Sequence, residues 1–390
     1  MKICIDYTCW VIKNNTFYGG GEYFTYSIIK ELLLYMDKTD LTLLWPANTG
    51  SCNELQQELL DNDSIKVCYV YDLASYHFDE MDVLFVPNLR RKRDIRSLLY
   101  IKNKYPEMRI VLTIHDLRTH ELRKWDPYGR YFCKFGVLGY SIKNVTLKIK
   151  WIIIKRILLR NLDGAVDRVL TVSNYSMQQI LGCTKVKNIS LVFQKVRYID
   201  SADKYVSIED EYFLFLSAGR EEKNFLRTLD AYVEAVSAKE TDYKMIVTGV
   251  NDFVLKYIAQ KDEEYQKTVE RMVVFKGYIP ETEIQLLYAQ CKALLFTSKS
   301  EGFGIPVLNA SVYGRPVIAS NRTSIPEILG SSALYIDPYD KETIRNAIRL
   351  ISDKKKYGLI KANANKMVSV LKTRMENEMK TSIEIIVGDL

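Results

Sequence analysis

The stretch "ALLFTSKSEGFGIPVLNASVYGRPVIAS", residues 293–320, contains a complete strand–loop–helix–strand unit. Its first run, "ALLFTS", is apolar almost throughout, which is typical of a strand buried on both faces. A loop with two glycines follows around Glu301, and Pro306 suits the first turn of a helix. A turn at residues 314–316 leads into a second buried strand, "PVIAS". In a parallel α/β sheet, such a loop opens at the carboxyl edge of the strands, where ligands bind.

The same alternation extends over the rest of the chain. The strand-like runs of the first half are "KICID", "LTLLW", "IKVCYV", "DVLFVPN", "RIVLTIHD" and "RVLTVS". The second series consists of "YFLFLS", "KMIVTG", "MVVFKG", "ALLFTS" and "PVIAS". Helical patterns such as "EYFTYSIIKELLLYM" and "NFLRTLDAYVEAVSAK" lie between them. Two such series predict an α/β protein with two doubly wound, Rossmann-like domains, which face each other across a ligand-binding cleft.

The 390 residues suffice for two domains. We assign residues 1–195 to an N-terminal, Rossmann-like domain and 196–210 to a polar linker. Residues 211–370 form a C-terminal, Rossmann-like domain in this interpretation. A final helix over 371–390 is expected to pack back on the N-terminal domain.

Composition and charge narrow the classes of partner. The 55 Lys and Arg exceed the 48 Asp and Glu by seven, which suits a partner that carries phosphate or an anionic membrane surface. No nucleic-acid-reading motif accompanies the charge, so nucleic acid is not an expected partner. The seven cysteines form no CxxC pair and favour neither a zinc site nor a disulfide framework. We therefore expect a cytoplasmic protein that starts directly with its first strand, and leave open a peripheral position on the inner face of the cell membrane.

Three further loops follow predicted strands and carry candidate binding residues. Gly19, Gly20 and Gly21 precede a helix and would let the backbone approach a ligand, although a flexible turn is the simpler alternative. His115 ends the run "LTIHDL", where side chains reach the ligand edge of a sheet, but a lone histidine is also a common structural residue. In "FLSAGREEKNFLRTL", Arg220 and Lys223 are candidates to hold a diphosphate, or else they pair with Glu221 and Glu222. Asn224 is expected to cap the next helix.

Together these motifs resemble glycosyltransferase family 4, the retaining sugar transferases of the GT-B fold. The resemblance runs almost end to end. It consists of "GGGEY", "TIHDL", "LTVSNYS", "GREEKN", "FKGYIPETEIQLLYAQC", "SEGFGIPVLNA", "GRPVIASN" and "SIPEILG", in the order and spacing of the family. It implies an enzyme that moves a hexose, plausibly of the mannose type, from a GDP- or UDP-linked sugar to a glycan acceptor. A lipid-linked acceptor in O-antigen or capsule synthesis is the expected setting.

The resemblance implies that the N-terminal domain, 1–195, binds the acceptor and that the C-terminal domain, 211–370, binds the nucleotide sugar. It also implies roles for individual residues. Arg220 and Lys223 would hold the donor diphosphate, Glu301 would approach the transferred sugar, and His115 would face it from the N-terminal domain. These four residues are the catalytic candidates. The expected donor-binding residues are Gly19, Gly20, Gly21, Tyr278, Gly302, Phe303, Gly304, Ile305 and Asn309. No metal and no cofactor is expected besides the nucleotide-sugar substrate, and the only D-x-D, Asp61 to Asp63, is interpreted as a turn.

Two positions depart from the family pattern. Asn309 replaces the second carboxylate of the family's E-x7-E motif, and an amide offers one acceptor oxygen where a carboxylate offers two. A modest loss of nucleotide affinity or a shifted ribose contact is expected. Ser217 stands where many relatives have glycine before the phosphate loop, which leaves the path of that loop open. Asn309 also motivates an alternative function, a catalytically weak GT-B protein that binds a nucleotide and a partner glycosyltransferase. A sugar-nucleotide epimerase is a third possibility.

Positive charge concentrates in the N-terminal half, the acceptor side in this family. The segment "LKIKWIIIKRILLR", residues 147–160, has the composition of a helix that could lie on an anionic membrane. Its apolar residues extend nearly all round a helical wheel, which favours a buried domain helix with one cationic stripe instead. The cluster "RRKRDIR" at Arg90 to Arg96 is then the better surface candidate.

Overall fold

The computed structural model describes residues 1–10, 20–35, 40–48, 52–89, 92–117, 126–133, 136–196, 198, 212–277 and 279–388. Two compact units share the chain. The first comprises Met1–Leu117, Lys150–Lys195 and Arg374–Leu390, and the second comprises Arg118–Ile149 and Val196–Thr373. The expected linker, residues 196–210, lies almost wholly outside the described residues.

The first unit is built on a parallel sheet that has seven strands in the described part of the chain, in the order β3-β2-β1-β4-β5-β6-β7. The strands are β1 (Ile3–Asp6), β2 (Leu41–Pro46), β3 (Lys66–Val70), β4 (Val83–Val86), β5 (Arg109–Thr113), β6 (Arg168–Thr171) and β7 (Ile189–Leu191). The helices up to this point are α1 (Gly20–Tyr35), α2 (Glu54–Leu60), α3 (Lys92–Lys104), α4 (Gly136–Ala165) and α5 (Asn174–Leu181), with short 3₁₀ helices at Leu73–Ser75 and Pro127–Phe132. Central strands β1 and β4 are buried along their whole length, as their apolar sequences require.

The second unit repeats this architecture with a parallel sheet, whose described strands run in the order β10-β9-β8-β11-β12-β13. They are β8 (Tyr212–Phe215), β9 (Lys244–Thr248), β10 (Val273–Lys276), β11 (Ala293–Phe296), β12 (Val317–Ser320) and β13 (Leu334–Ile336). The helices are α6 (Phe225–Ser237), α7 (Asp252–Ala259), α8 (Glu263–Met272), α9 (Glu281–Gln290), α10 (Ile305–Val312), α11 (Ile325–Leu329), α12 (Lys341–Ser352) and α13 (Lys354–Val387), and Glu221–Lys223 form a 3₁₀ turn. Two doubly wound, Rossmann-like domains are thus confirmed.

Each strand-like run of the sequence forms a strand, and among the strands that the structure describes the patterns missed two short ones, β7 and β13. Each has three residues. No residue of β7 and one residue of β13 is buried, so neither strand carries a long apolar run. The D-x-D is a turn, as predicted: the Asn62 side chain accepts the backbone N–H of Ser64 at 2.9 Å.

The segment before α4 is held in the second unit by buried charge, although the sequence analysis assigned it to the N-terminal domain. Asp126 accepts a hydrogen bond from the Arg227 guanidinium at 2.8 Å and forms an ion pair with Lys299. The next turn adds Tyr128, whose hydroxyl donates to Asp230 at 2.8 Å. Residues of α6 and of the loop after β11 therefore fix the position of this segment.

The end of α13 belongs to the first unit. There the guanidinium of Arg109 donates to the backbone carbonyl of Ile385 at 2.7 Å, and the guanidinium of Arg374 lies 4.1 Å from the centroid of the Phe193 ring. These contacts attach the last turns of the helix to the first sheet and to the chain after β7.

Replacing Asp126 by asparagine tests the buried charge. Burial alone would raise the pKa of this carboxyl, but Lys299 and Arg227 outweigh burial and hold the pKa below its ordinary value of 3.8. Asp126→Asn leaves two buried cations without their counter-ion, so we expect the free energy of unfolding to fall by about 3 kcal/mol at pH 7, measured by urea denaturation.

The pH dependence of that difference has a defined sign. The pKa of the Asp126 carboxyl is lower in the folded state than in the unfolded state. The ionised carboxylate therefore stabilises the wild type at a pH above the ordinary pKa, and this stabilisation is lost as the pH falls through the lowered value. The gap between wild type and Asp126→Asn should therefore narrow below about pH 4. The control is Asp242→Asn, at an exposed position of the same unit, with an expected change within about 0.5 kcal/mol. Equal stability of Asp126→Asn and the control would refute the assignment of Asp126 as a stabilising counter-ion of Arg227 and Lys299.

Candidate functional site

The candidate residues of the second unit lie where the strand order of its sheet reverses. From β8 the chain proceeds outward to β9 and β10, and then returns to β11 on the other side of β8. Strands β8 and β11 are direct parallel neighbours, with Leu214 opposite Leu294. The loops that follow them diverge at the carboxyl edge, which is where open α/β sheets bind ligands.

These two loops bring Lys223 and Glu301 together. The ammonium of Lys223 donates to the carboxylate of Glu301 at 2.6 Å, and each side chain is 8% exposed. Ser298 donates its hydroxyl to the same carboxylate oxygen at 2.5 Å, and the Lys223 ammonium lies 4.7 Å from the centroid of the Phe296 ring. A buried ion pair is costly to desolvate and adds little net stability. Its position at a ligand edge therefore indicates a functional role.

The loop after β11 is held by a second layer of hydrogen bonds. The Glu301 N–H donates to the Thr323 hydroxyl at 3.2 Å, and the Ser324 hydroxyl donates to the carbonyls of Glu301 and Phe303. Gly304 has φ = 120°, and a β-carbon there would lie 2.7 Å from the Ile325 side chain. The following helix, α10, begins at Ile305. Phe303 is buried and Gly302 precedes it in this turn, so the expected "EGFGI" loop is rigidly shaped.

Arg220 takes a different position from Lys223. Its side chain is 50% exposed and forms an ion pair with Glu222. Arg220 therefore pairs with a neighbouring glutamate, which is the alternative given in the sequence analysis. Lys223 instead pairs with Glu301, from the loop after β11. The role of Arg220 in holding a diphosphate stays a prediction.

Asn224 does not cap α6 through its side chain, contrary to our expectation. It adopts a left-handed backbone conformation with φ = 64°. Its amide instead donates to the carbonyls of Thr297, at 3.2 Å, and Pro338, at 2.6 Å. It thereby links the loop after β8 to the loop after β11, directly beside Lys223 in the chain.

The sequence analysis missed Arg227 and Lys299, which lie beside the candidate residues. Arg227 is buried on α6 and donates to Asn224 at 2.7 Å, to Pro338 and to Asp126. Lys299 is buried as well and pairs with the same carboxylate. Both are charged positions within buried segments, but their partner Asp126 lies more than a hundred residues earlier in the chain, where no local pattern indicates it.

Ser217 fills its unusual position by adopting the conformation of a glycine. Its φ is 59°, in the left-handed region that disfavours residues with a side chain. Gly249 packs against it so closely that a β-carbon on Gly249 would lie 2.9 Å from the Ser217 α-carbon. Gly219 is equally tight against Asn251 and donates its N–H to the Gly249 carbonyl at 2.6 Å. Ser217 thus has the backbone conformation that glycine adopts most easily, in a loop held by close contacts with Gly249 and Asn251.

Asn309 lies on α10 and is buried, with a neighbour that orients its amide. Gln285 of α9 donates to the Asn309 carbonyl oxygen at 3.5 Å, and Tyr313 donates its hydroxyl to the Gln285 carbonyl oxygen at 3.0 Å. This order of donors directs the oxygen of Asn309 toward Gln285. The amide nitrogen, a donor, then points in the other direction.

The first unit has a corresponding site at its own reversal of strand order, between β1 and β4. His115 follows β5; its Nε2 lies 3.0 Å from the Pro87 carbonyl and its Nδ1 lies 3.3 Å from the Gln194 amide nitrogen. With Gln194 as donor to Nδ1, the ring is neutral and donates from Nε2 to Pro87. The Ser176 hydroxyl, from the motif "LTVSNYS", donates to the His115 carbonyl at 3.0 Å.

The glycine-rich segment meets His115 within this unit. Helix α1 begins at Gly20, and a β-carbon on Gly21 would lie 2.6 Å from the Trp10 ring and 3.3 Å from the His115 Nε2. Gly21 is therefore required by packing. Gly19 and Tyr278 lie outside the described residues, and their roles stay predictions.

Within the described residues, no group of three His, Cys, Asp or Glu side chains is placed to hold a metal ion. Four cations lie around the second site, and each pairs with a carboxylate: Arg220 with Glu222, Lys223 with Glu301, and both Arg227 and Lys299 with Asp126. An anionic ligand at this site would therefore compete with those carboxylates for the cations.

Comparisons with known proteins show what this part of the chain is similar to. Residues 200–367, which include all the candidate residues of the second unit, match the model of the family described as "Glycosyl transferases group 1". The chain is 29% identical over 253 residues to O-antigen chain mannosyltransferase B of Escherichia coli, an alignment that takes in 60% of this chain and 59% of that protein. It is also 29% identical over 214 residues to the serotype-specific mannosyltransferase WbdA of Escherichia coli, with 51% of this chain and 26% of that protein aligned. The chain thus spans less than two thirds of the length of these relatives.

A solved structure extends the similarity to both units. The crystal structure of Anabaena Alr3699/HepE in complex with UDP superposes with a TM-score of 0.67, at 15% identity, over 98% of this chain and 99% of that chain. This chain has the GT-B fold. The similarity in sequence concerns group 1 glycosyl transferases, and the narrower assignment to family 4 stays a prediction.

The strain at Ser217 gives a prediction about stability. Ser217→Gly keeps the backbone N–H that donates to Thr248 at 3.3 Å and removes the steric cost of a left-handed serine. We expect the free energy of unfolding to rise by up to about 1 kcal/mol, because the steric relief exceeds the extra chain entropy of glycine.

The opposite substitution supplies the contrast. Ser217→Val places a β-branched residue in the same conformation and should lower the free energy of unfolding by about 1 kcal/mol or more. Urea denaturation of the three proteins measures both differences. A glycine variant less stable than the valine variant would contradict the loop geometry.

Proposed function

We propose that this protein is a retaining glycosyltransferase of family 4. In this proposal it moves a hexose, plausibly mannose-type, from a GDP- or UDP-linked donor to a lipid-linked glycan acceptor in surface polysaccharide synthesis. The observation that carries the proposal is the buried Lys223–Glu301 pair at the ligand edge of the second sheet. The names of the aligned relatives, two of which are mannosyltransferases, support the sugar, and the UDP complex of HepE supports a nucleotide donor.

The proposed reaction breaks the bond between the anomeric carbon and the diphosphate oxygen, whose electrons leave with the nucleoside diphosphate. An acceptor hydroxyl forms the new bond on the same face, and its proton passes to an oxygen of the departing diphosphate. Negative charge on the leaving group increases along this path. Lys223 and Arg220 stabilise that charge in place, so that little reorganisation is needed when the bond breaks. The reaction uses no metal and no resident cofactor in this proposal.

Glu301 and His115 have complementary roles in the proposal. Glu301 keeps the Lys223 ammonium in position and approaches the hydroxyls of the transferred sugar. His115 acts as an orienting group rather than as a base, because Gln194 and Pro87 engage its two ring nitrogens. A free general base at this position is not required, since the diphosphate accepts the proton.

A second function is favoured by one residue. Asn309 replaces a carboxylate of the family motif. This replacement would be tolerated in a catalytically weak protein that binds a nucleotide and a partner glycosyltransferase.

Incubation with a panel of GDP- and UDP-sugars, with and without a lipid-linked glycan, separates the alternatives. Acceptor-dependent release of nucleoside diphosphate supports the transferase, binding without turnover supports the partner role, and an isomerised donor supports an epimerase.

The buried pair calls for a double substitution rather than single ones. Lys223→Ala or Glu301→Ala leaves one buried charge unpaired and lowers the free energy of unfolding by about 3–5 kcal/mol, which would confuse a loss of activity with a loss of fold. The double variant Lys223→Met/Glu301→Gln removes both charges at nearly constant volume. We expect it to fold, within about 2 kcal/mol of the wild type, and to lose at least about a hundredfold in kcat.

A matched control is the exposed pair of Lys267 and Glu263, at 2.5 Å on α8. The variant Lys267→Met/Glu263→Gln should keep the activity of the wild type. Nucleoside diphosphate release and urea denaturation are measured on all three proteins. Full activity of the Lys223→Met/Glu301→Gln protein would remove the proposed role of the pair.

The amide at Asn309 gives a separate prediction. Asn309→Glu provides two acceptor oxygens, one for the Gln285 amide and one for a ribose hydroxyl of the donor. A charged hydrogen bond contributes about 1 kcal/mol more than a neutral one, so the Kd for the nucleoside diphosphate should fall by about fivefold, or stay unchanged if a ribose contact is absent. Isothermal titration with GDP and UDP measures it. A large loss of affinity would mean that the Asn309 amide nitrogen makes a specific donor contact.

A further inference from the structure

Helix α4 exposes a row of large apolar side chains. Four lie in the part of α4 that belongs to the second unit: Leu138 is 68% exposed, Ile142 58%, Val145 56% and Ile149 53%. On the same helix Ile152 and Ile153, in the first unit, are 51% and 40% exposed. The sequence analysis favoured a buried helix here, and the exposure of these residues corrects that interpretation for its described part.

The exposed residues share one face of the helix. Successive members of the row from Leu138 to Ile152 are four, three, four and three residues apart, which keeps them on one stripe at 3.6 residues per turn. The opposite face is anchored in the fold, with Tyr140 at 1% and Asn144 at 8% exposure. The part of α4 that belongs to the second unit is therefore packed along one side, and its four exposed apolar residues form a stripe along the other.

The charged residues of α4 itself, up to Leu162, are all basic. Residues 136–162 contain six Lys and Arg and no Asp or Glu. Lys148 and Arg156 are exposed, and Lys143 forms an ion pair with Glu221. By helical spacing Arg156 continues the stripe itself, four residues after Ile152, while Lys148 borders it.

We propose that α4 docks this protein on the surface of an anionic lipid bilayer. The apolar stripe would insert into the boundary between headgroups and acyl chains, and the flanking cations would contact anionic headgroups. A second copy of the chain fits less well, because its α4 carries the same exposed cations, Lys148 and Arg156, and, up to Leu162, no acidic residue to pair with them. Within the described residues no helix is both long and apolar enough to cross a membrane.

This docking deepens the proposed function in one respect, since a lipid-linked acceptor would be presented at the same surface. It does not depend on turnover, so it is tested without donor or acceptor. Purified full-length protein is sedimented with vesicles of phosphatidylcholine alone and with vesicles that also contain phosphatidylglycerol. We expect binding to the anionic vesicles that weakens at high salt and little binding to the neutral ones.

The stripe is tested by Ile142→Ser/Ile149→Ser. Both positions are exposed, so the fold should be kept, which thermal unfolding checks. The expected result is a loss of at least about tenfold in the partition coefficient for anionic vesicles. The matched control is Leu255→Ser/Leu359→Ser, at positions 49% and 76% exposed elsewhere in the second unit, which should bind like the wild type.

Two outcomes would overturn the proposal. One is that the stripe does not mediate vesicle binding. This would be seen either as equal binding by the stripe variant and the control, or as no binding of the wild type to anionic vesicles. The other is a lipid-free dimer, seen by light scattering, that the stripe variant abolishes while no protein binds vesicles. Nucleoside diphosphate release in a soluble-acceptor assay is measured in parallel, so that failure of docking and failure of the proposed transferase activity are told apart.

Discussion

The ion pair between Lys223 and Glu301 is the interaction on which the second site depends. It joins the loops after two neighbouring parallel strands at the point where the strand order reverses, 78 positions apart in the chain. Burial makes each charge dependent on the other, since an unpaired ammonium or carboxylate at this depth would be strongly unfavourable. The pair therefore holds a cation and a carboxylate side by side in a fixed geometry before any ligand binds.

A shell of buried polar groups keeps that geometry rigid. Asn224 bridges the two loops by its amide, and Arg227 lies 4.6 Å from the centroid of the Tyr128 ring while it donates to Asp126. Ser324 holds two carbonyls of the loop around Glu301. Preorganised charge is effective in catalysis because the protein does not reorganise when charge develops in the transition state. The fold thus supplies preorganised charge, on which the proposed transfer from a diphosphate donor depends.

Most of the fold could be predicted from sequence because parallel strands buried on both faces are short, apolar and bounded by glycine loops. Strands β7 and β13 were not predicted, because three residues at a sheet edge show no such apolar run. Lys223 and Glu301 could be predicted as site residues, but their mutual pairing could not, because it depends on which strands are neighbours. Asp126 was missed for the same reason. The exposure of α4 depends on which of its apolar sides the fold covers, and a helical wheel does not contain that information.

The most direct test of the central claim is a crystal structure with GDP or UDP bound. We predict that the pyrophosphate occupies the carboxyl edge of β8 and β11, with an oxygen within about 3 Å of the Lys223 Nζ and the Glu301 carboxylate still beside it. A nucleotide bound elsewhere, with the Lys223–Glu301 pair unchanged and remote from every phosphate oxygen, would contradict the account.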